Sequence, residues 1–185
     1  MITQAQAIKT NEWALLVLLS LLWGGAFIAA GLAVEELPPL TVVLARVGLA
    51  VAVLLPLFWF QGHSMPRTFA EWVPFLGMGL LNNVLPFGFF FAGLTFISVS
   101  LTSIINALTP LFTILVMACF RQEPLTLPRL TGVLLGALGV SFIQGFDGGT
   151  DSTQAIGILL CLCGACSYGF AALWGRYYLQ GVAPL

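Results

Sequence analysis

The stretch WALLVLLSLLWGGAFIAAGLAV, Trp13 to Val34, runs for 22 residues without a charged side chain and carries one hydroxyl, Ser20. Wound as an α-helix at about 1.5 Å per residue it is roughly 33 Å long. That matches the roughly 30 Å hydrocarbon core of a bilayer. Five further stretches of the same kind follow: Leu40 to Phe60, Trp72 to Thr95, Val99 to Phe120, Leu130 to Phe146 and Ala155 to Tyr177. The expected fold class is therefore an all-α membrane protein with six transmembrane helices in this chain.

Composition leads to the same place. Of 185 residues, 59% are apolar and 7% charged, against about a quarter charged in soluble domains. A chain this short cannot hide so many apolar side chains in its interior, so its surface must face lipid. The lipid bilayer is the first partner implied. Six basic and seven acidic residues leave a net charge of -1 and no basic stripe, which excludes nucleic acid as a partner. The polar segment 1–12 is followed by no small-residue cleavage pattern, which argues against a removed signal peptide.

The separators carry the polar signal: Glu35-Glu36-Leu37-Pro38-Pro39, Gln61 to Glu71, Phe96-Ile97-Ser98, Arg121 to Arg129 and Asp147 to Gln154. Connections this short force neighbouring helices to run antiparallel in a compact bundle. Lys9, Arg67, Arg121, Arg129 and Arg176 then share one side, whereas Glu35, Glu36, Asp147 and Asp151 share the other. The positive-inside rule places the N-terminus in the cytoplasm, and the expected location is the inner (plasma) membrane.

Cys119, Cys161, Cys163 and Cys166 all sit in apolar runs. On a helix Cys161 and Cys163 point about 200° apart, and no His or carboxylate stands near them, so they read as packing residues and no metal or cofactor is expected. An enzyme lacks its inventory: the one histidine, His63, is in a polar loop and no Asp or Glu lies mid-span. The Ser167 region superficially resembles a nucleophile on a helix, but no intramembrane base is there to activate it, so no catalytic residue is expected.

Shifting the chain against itself by 145 residues superposes Trp23-Gly24 on Tyr168-Gly169, Glu35 on Gln180 and Pro39-Leu40 on Pro184-Leu185. A repeat of five spans, an odd number, starts its second copy on the opposite side of the membrane. Such inverted repeats characterise secondary transporters, whose substrate sites form near the midplane between halves. The expected organisation is a cytoplasmic segment 1–12, a first repeat over 13–150 and the start of a truncated second repeat over 151–185. Doubling the period predicts a natural protein of about 290 residues.

The stretches Leu22-Trp23-Gly24-Gly25-Ala26-Phe27, Leu37-Pro38-Pro39-Leu40-Thr41 and Ala45-Arg46 resemble the opening of EamA-type members of the drug/metabolite transporter superfamily. So do Leu108-Thr109-Pro110-Leu111-Phe112-Thr113, Arg121-Gln122-Glu123-Pro124-Leu125 and the run from Gly132 to Val140. The resemblance implies ten helices in two inverted five-helix repeats, both termini cytoplasmic, and export of amino acids or related small metabolites. It also implies a cavity lined largely by the third and fourth helices of each repeat. A small multidrug-type homodimeric pump resembles a different pattern, one with a carboxylate in the first helix, which Trp13 to Val34 lacks. Because one five-span unit is complete here, a homodimer of half-transporters is an alternative; a non-transporting membrane scaffold is another.

Polar groups inside a span are costly and tend to be functional or to join helices. Asn82 and Asn83 occupy the middle of the third span, and Asn106, with Thr102 and Ser103, that of the fourth. Pro86 follows Asn82 by four and Pro110 follows Asn106 by four, so each proline deprives an asparagine carbonyl of its helical donor and marks a bend. One reading makes Asn82, Asn83, Asn106 and Thr102 part of a small-molecule pathway, with Pro86 and Pro110 as hinges. The other has Asn82 and Asn106 bonding one another across a packed interface. Trp23 and Phe27, one turn apart, either stack on a substrate or pack. Arg46, about 10 Å into its span, either binds a substrate carboxylate or serves structure by snorkelling or pairing; the sequence favours the structural role. Glycines Gly132, Gly136, Gly139, Gly157, Gly164 and Gly169 are expected to permit close helix packing.

Overall fold

A computed structural model describes residues 10–62, 65–144 and 152–180. Lys9, His63, Asp147, Asp151 and the Pro184-Leu185 match lie outside these residues. Among the described residues the chain is helical throughout, without strands: α1 (Thr10–Glu36), α2 (Pro39–Phe60), α3 (Phe69–Gly79), a π-helical turn (Leu80–Val84), α4 (Leu85–Leu94), α5 (Val99–Asn106), α6 (Thr109–Cys119), α7 (Leu127–Gln144) and α8 (Ser152–Tyr178). Five stretches are long and apolar enough to cross a membrane: Glu12–Glu36, Pro39–Phe60, Phe69–Leu94, Val99–Cys119 and Ser152–Tyr178. The remaining expected span is helical over Leu127–Gln144, and its last two residues, 145 and 146, fall outside the description.

Local chemistry sets the helix ends. Pro38 precedes α2 and Pro39 opens it, where a missing N–H costs nothing. The third span opens with a capping box: Thr68 Oγ1 accepts from Glu71 N at 3.4 Å, and a Glu71 carboxylate oxygen accepts from Arg67 N at 2.9 Å. Ser98 caps α5 by accepting from Leu101 N at 3.3 Å. At the end of α6, Arg121 takes φ 55°, while Gln122 N bonds Met117 O at 2.8 Å and Arg121 N bonds Ala118 O at 2.9 Å. This is a Schellman closure with an arginine in the place glycine prefers.

The packing centre is the seam between α8 and the third span. Lipid offers no hydrophobic drive between helices, so association rests on close van der Waals fit and on hydrogen bonds. Four points supply both, and they run antiparallel. At Gly157 an added Cβ would stand 2.8 Å from Ile97 Cγ2 and 3.2 Å from the carbonyl of Gly93. At Gly164 it would stand 3.0 Å from the Phe90 ring and 3.2 Å from the carbonyl of Pro86. Ser167 Oγ donates to the carbonyl of Leu81 at 2.8 Å. Trp174 lies across Gly77, where no Cβ would fit, and donates its indole N–H to the carbonyl of Pro74 at 2.9 Å. Phe90, Ile105, Thr102, Pro86 and Cys161 are the largest fully buried side chains, and all belong to this region or to α5 against it. Gly169 serves in the same way toward α6, 3.0 Å from the Phe112 carbonyl. In α7 the expectation holds for Gly136, which faces Leu111, whereas among the described residues a Cβ on Gly132 or Gly139 would meet nothing within 4 Å.

The bundle's two ends differ in charge. Glu123 in the α6–α7 connection pairs with Arg129 at 2.9 Å and with Arg176 at 3.5 Å, and Gln122 hydrogen-bonds Tyr177. This ties the α6–α7 connection to the last turn of α8, which lies beside the start of the third span. Glu35 lies at the other end, near Thr95 and Ser98.

Candidate functional site

Bends in the third and fourth spans prepare the site. In the third span, Leu85 N bonds the carbonyl of Leu80, five residues back rather than four. In that register the carbonyl of Leu81 faces residue 86, which is proline and has no N–H. Ser167 fills the gap from α8. The sequence placed the freed carbonyl on Asn82; the π register moves it to Leu81. In the fourth span the chain breaks at Ala107 and Leu108 between α5 and α6, and the carbonyl of Asn106 accepts from Thr109 Oγ1 at 2.7 Å. The carbonyl that Pro110 frees is thus satisfied within its own turn and does not await a ligand. What both bends leave available is side chains: the asparagine amides.

These amides converge with groups from three other helices. A cavity of about 580 Å³ is lined by Trp23 and Phe27 of α1, Arg46 of α2, Asn82 and Asn83 of the π turn, Phe87 and Phe91 of α4, Asn106 at the end of α5, Thr109 and Pro110 of α6, and Tyr168 of α8. The structure therefore brings Trp23, Phe27, Arg46, Asn82, Asn83, Asn106 and Pro110 to one place. It does not bring Thr102, which is fully buried and accepts from Cys161 Sγ at 4.0 Å. Its hydroxyl faces α8 at the α5 contact rather than the cavity. Pro86, also fully buried, shapes the wall from behind.

Among the described residues no hydrogen bond links the side-chain amides of Asn82, Asn83 or Asn106 to one another or to another side chain, Asn106 being bonded to Thr109 through its backbone carbonyl alone, so the interhelical bond between asparagines is not formed. An amide has two N–H donors and a carbonyl acceptor, and all three amides keep theirs for the cavity. Arg46 forms no ion pair with a described residue either: both ion pairs between described residues belong to Glu123. Its guanidinium carbon lies 4.2 Å from the centroid of the Phe87 ring. Such a stack is worth about 0.5–2 kcal/mol. An Arg at bilayer depth costs about 2.5–3.5 kcal/mol on insertion scales, so the stack offsets part of the cost and an aqueous cavity must supply the rest.

The aromatic wall is built around Phe90. Its buried ring meets Phe27 edge-on at 6.2 Å and lies near-parallel to Tyr168 at 6.3 Å, while Phe87 stacks on Phe91 at 5.8 Å. Phe90 touches no cavity space yet fixes two rings that do. Sequence reasoning did not assign Phe87, Phe91 or Tyr168 to the site. The 145-residue offset held the signal for Tyr168, since it superposes that residue on Trp23, and both line the cavity. Phe87 and Phe91 were hidden by the abundance of phenylalanine in every span. Among the described residues no group of His, Cys, Asp or Glu is placed to hold a metal ion.

Bent, apolar helices around a cavity of mixed aromatic, amide and cationic character define a polytopic all-α membrane protein. The chain belongs to the EamA-like transporter family, which matches residues 11–144. It is similar to an uncharacterized transporter of Archaeoglobus fulgidus, at 27% identity over 95% of this chain and 61% of that protein. It is also similar to the uncharacterized transporter YoaV of Bacillus subtilis, at 22% over 90% and 58%, and to the uncharacterized inner membrane transporter YedA of Escherichia coli, at 25% over 85% and 50%. The chain thus spans about 50% to 61% of the length of these relatives. No solved structure matches it.

Proposed function

We propose that this chain is the first five-helix repeat, 13–150, and the opening helix of the second repeat, within 151–185, of a ten-helix exporter of small metabolites such as amino acids. The protein sits in the inner membrane with its N-terminus in the cytoplasm, so the Glu123–Arg129–Arg176 cluster marks the cytoplasmic end. The observation that carries this reading is the convergence of three unpartnered asparagine amides and an unpaired arginine from separate helices on one cavity. Membrane-buried polar groups are expensive, and satisfying them with cavity water and cargo is the use that fits a transporter-family chain. The match of Tyr168 to Trp23 supports the inverted repeat, with equivalent aromatics from the two halves facing one chamber.

The test is efflux from proteoliposomes holding the full-length protein, with Asn82→Ala and Asn106→Ala. Both variants should lose most export while keeping their unfolding temperature, because neither amide holds a helix partner. Intact export combined with a lowered unfolding temperature would overturn the pathway role.

A further inference from the structure

We infer that the cavity selects cargo by a carboxylate: its ligand is a small carboxylate attached to a flat apolar body, held by Arg46, and an amine of the same shape is rejected. The inference rests on the pathway reading above and specifies its cargo.

The charge inventory carries it. Arg46 is the one charged side chain among the residues lining the cavity, and no Asp or Glu lines it. The guanidinium is in no ion pair with a described residue, so the cavity lining carries a formal positive charge. A carboxylate entering it is stabilised and an ammonium repelled. Geometry adds to charge. The guanidinium carbon stands 4.2 Å from the Phe87 centroid, and the planar guanidinium carries its N–H donors in a fork that matches the two oxygens of a carboxylate. The stack also holds the fork in place before cargo arrives, which lowers the ordering entropy that binding must overcome.

The rest of the lining selects the body. Trp23 and Tyr168 line the same cavity as Arg46, and their rings suit stacking on a planar apolar group. Asn82 and Asn106 supply neutral donors and acceptors, which tolerate an additional amino or hydroxyl group without demanding one. A monocarboxylate such as phenylacetate and the zwitterion phenylalanine are both accommodated; phenethylamine, which lacks the carboxylate, is not.

The experiment measures equilibrium binding of radiolabelled phenylacetate to the purified full-length protein, with competition by phenylalanine, phenylacetamide and phenethylamine, and flux of the same four compounds in proteoliposomes. Phenylacetate and phenylalanine should each bind at least 10-fold more tightly than phenylacetamide and phenethylamine. A charge-assisted bidentate contact of about 1.5–3 kcal/mol corresponds to about 10- to 100-fold in affinity, so Arg46→Gln should weaken phenylacetate by that factor and leave phenylacetamide unchanged. Arg46→Lys, which keeps the charge but not the fork, should fall between. Equal loss for acid and amide in Arg46→Gln, or wild-type binding of phenethylamine as tight as that of phenylacetate, overturns the inference. If the amine is transported and the acids are not, the exporter reading stands and the cargo class falls. If the acids bind through Arg46 but no compound moves, the cargo class stands and the exporter reading falls.

Discussion

Ser167→Ala isolates the hydrogen bond that joins α8 to the π turn. The Ser167 hydroxyl is buried, 6% exposed, and donates at 2.8 Å to the carbonyl of Leu81, whose backbone donor in the π register would be residue 86, a proline. Side-chain hydrogen bonds between membrane helices average about 0.6 kcal/mol and reach about 1.7 kcal/mol. This one belongs at the upper end because no second donor replaces it, so the substitution should cost about 1–1.5 kcal/mol. Pro86→Ala changes that cost. It restores an N–H at position 86, and whether the turn stays π or relaxes to α, the carbonyl of Leu81 regains a backbone partner, from residue 86 or from Leu85. In the Pro86→Ala background Ser167→Ala should therefore cost under about 0.5 kcal/mol, a coupling of about 1 kcal/mol, above the roughly 0.3–0.5 kcal/mol scatter of additive sites. The cycle cancels the separate packing penalty of removing the buried proline ring. The assay is reversible unfolding of the four full-length forms by SDS titration in mixed micelles. Equal costs of Ser167→Ala in both backgrounds would refute the claim that Pro86 orphans the Leu81 carbonyl.

Gly164→Val places a branched side chain where Cβ alone would stand 3.0 Å from the Phe90 ring; it should destabilise the bundle by about 1–3 kcal/mol, whereas Gly139→Ala in α7, open to 4 Å, should change the same unfolding midpoint little. Arg121→Gly relieves a left-handed φ of 55° and should stabilise by about 0.5–1 kcal/mol after the greater freedom of glycine in the unfolded chain is set against the strain. Glu123→Gln removes two ion pairs whose side chains are 37% to 40% exposed; the loss should stay below about 1 kcal/mol and shrink further in high salt, read as the unfolding midpoint at low and high ionic strength.

The groups around the cavity were not equally visible beforehand. Asn82, Asn83 and Asn106 stood out because amides are rare in apolar spans, and Pro86 and Pro110 because they remove backbone donors at a fixed spacing. Arg46 was visible as a charge, yet its use was not. A guanidinium 10 Å into a helix can snorkel, pair or face a chamber, and the choice depends on what the neighbouring helix presents. Thr102 shows the opposite error. As a hydroxyl one turn before Asn106 it shares that residue's side of α5, but α8 covers it.

The all-α class, five of the six expected spans and the sites of bending followed from the sequence alone, because they are set within single spans: apolar length against bilayer thickness, and proline four residues after asparagine. The partner of α8 was decided only by the tertiary structure. Every span is apolar all round, so no amphipathic stripe announces which face meets which helix, and glycines mark close approach without naming the neighbour. The antiparallel seam of Gly157, Gly164, Ser167 and Trp174 on the third span arises from shape fit and two hydrogen bonds between residues 86 and 100 positions apart. That same seam brings the Leu81 carbonyl its donor and sets Tyr168 on the cavity that Trp23 and Arg46 line, completing on one wall a chamber that no single stretch of sequence describes.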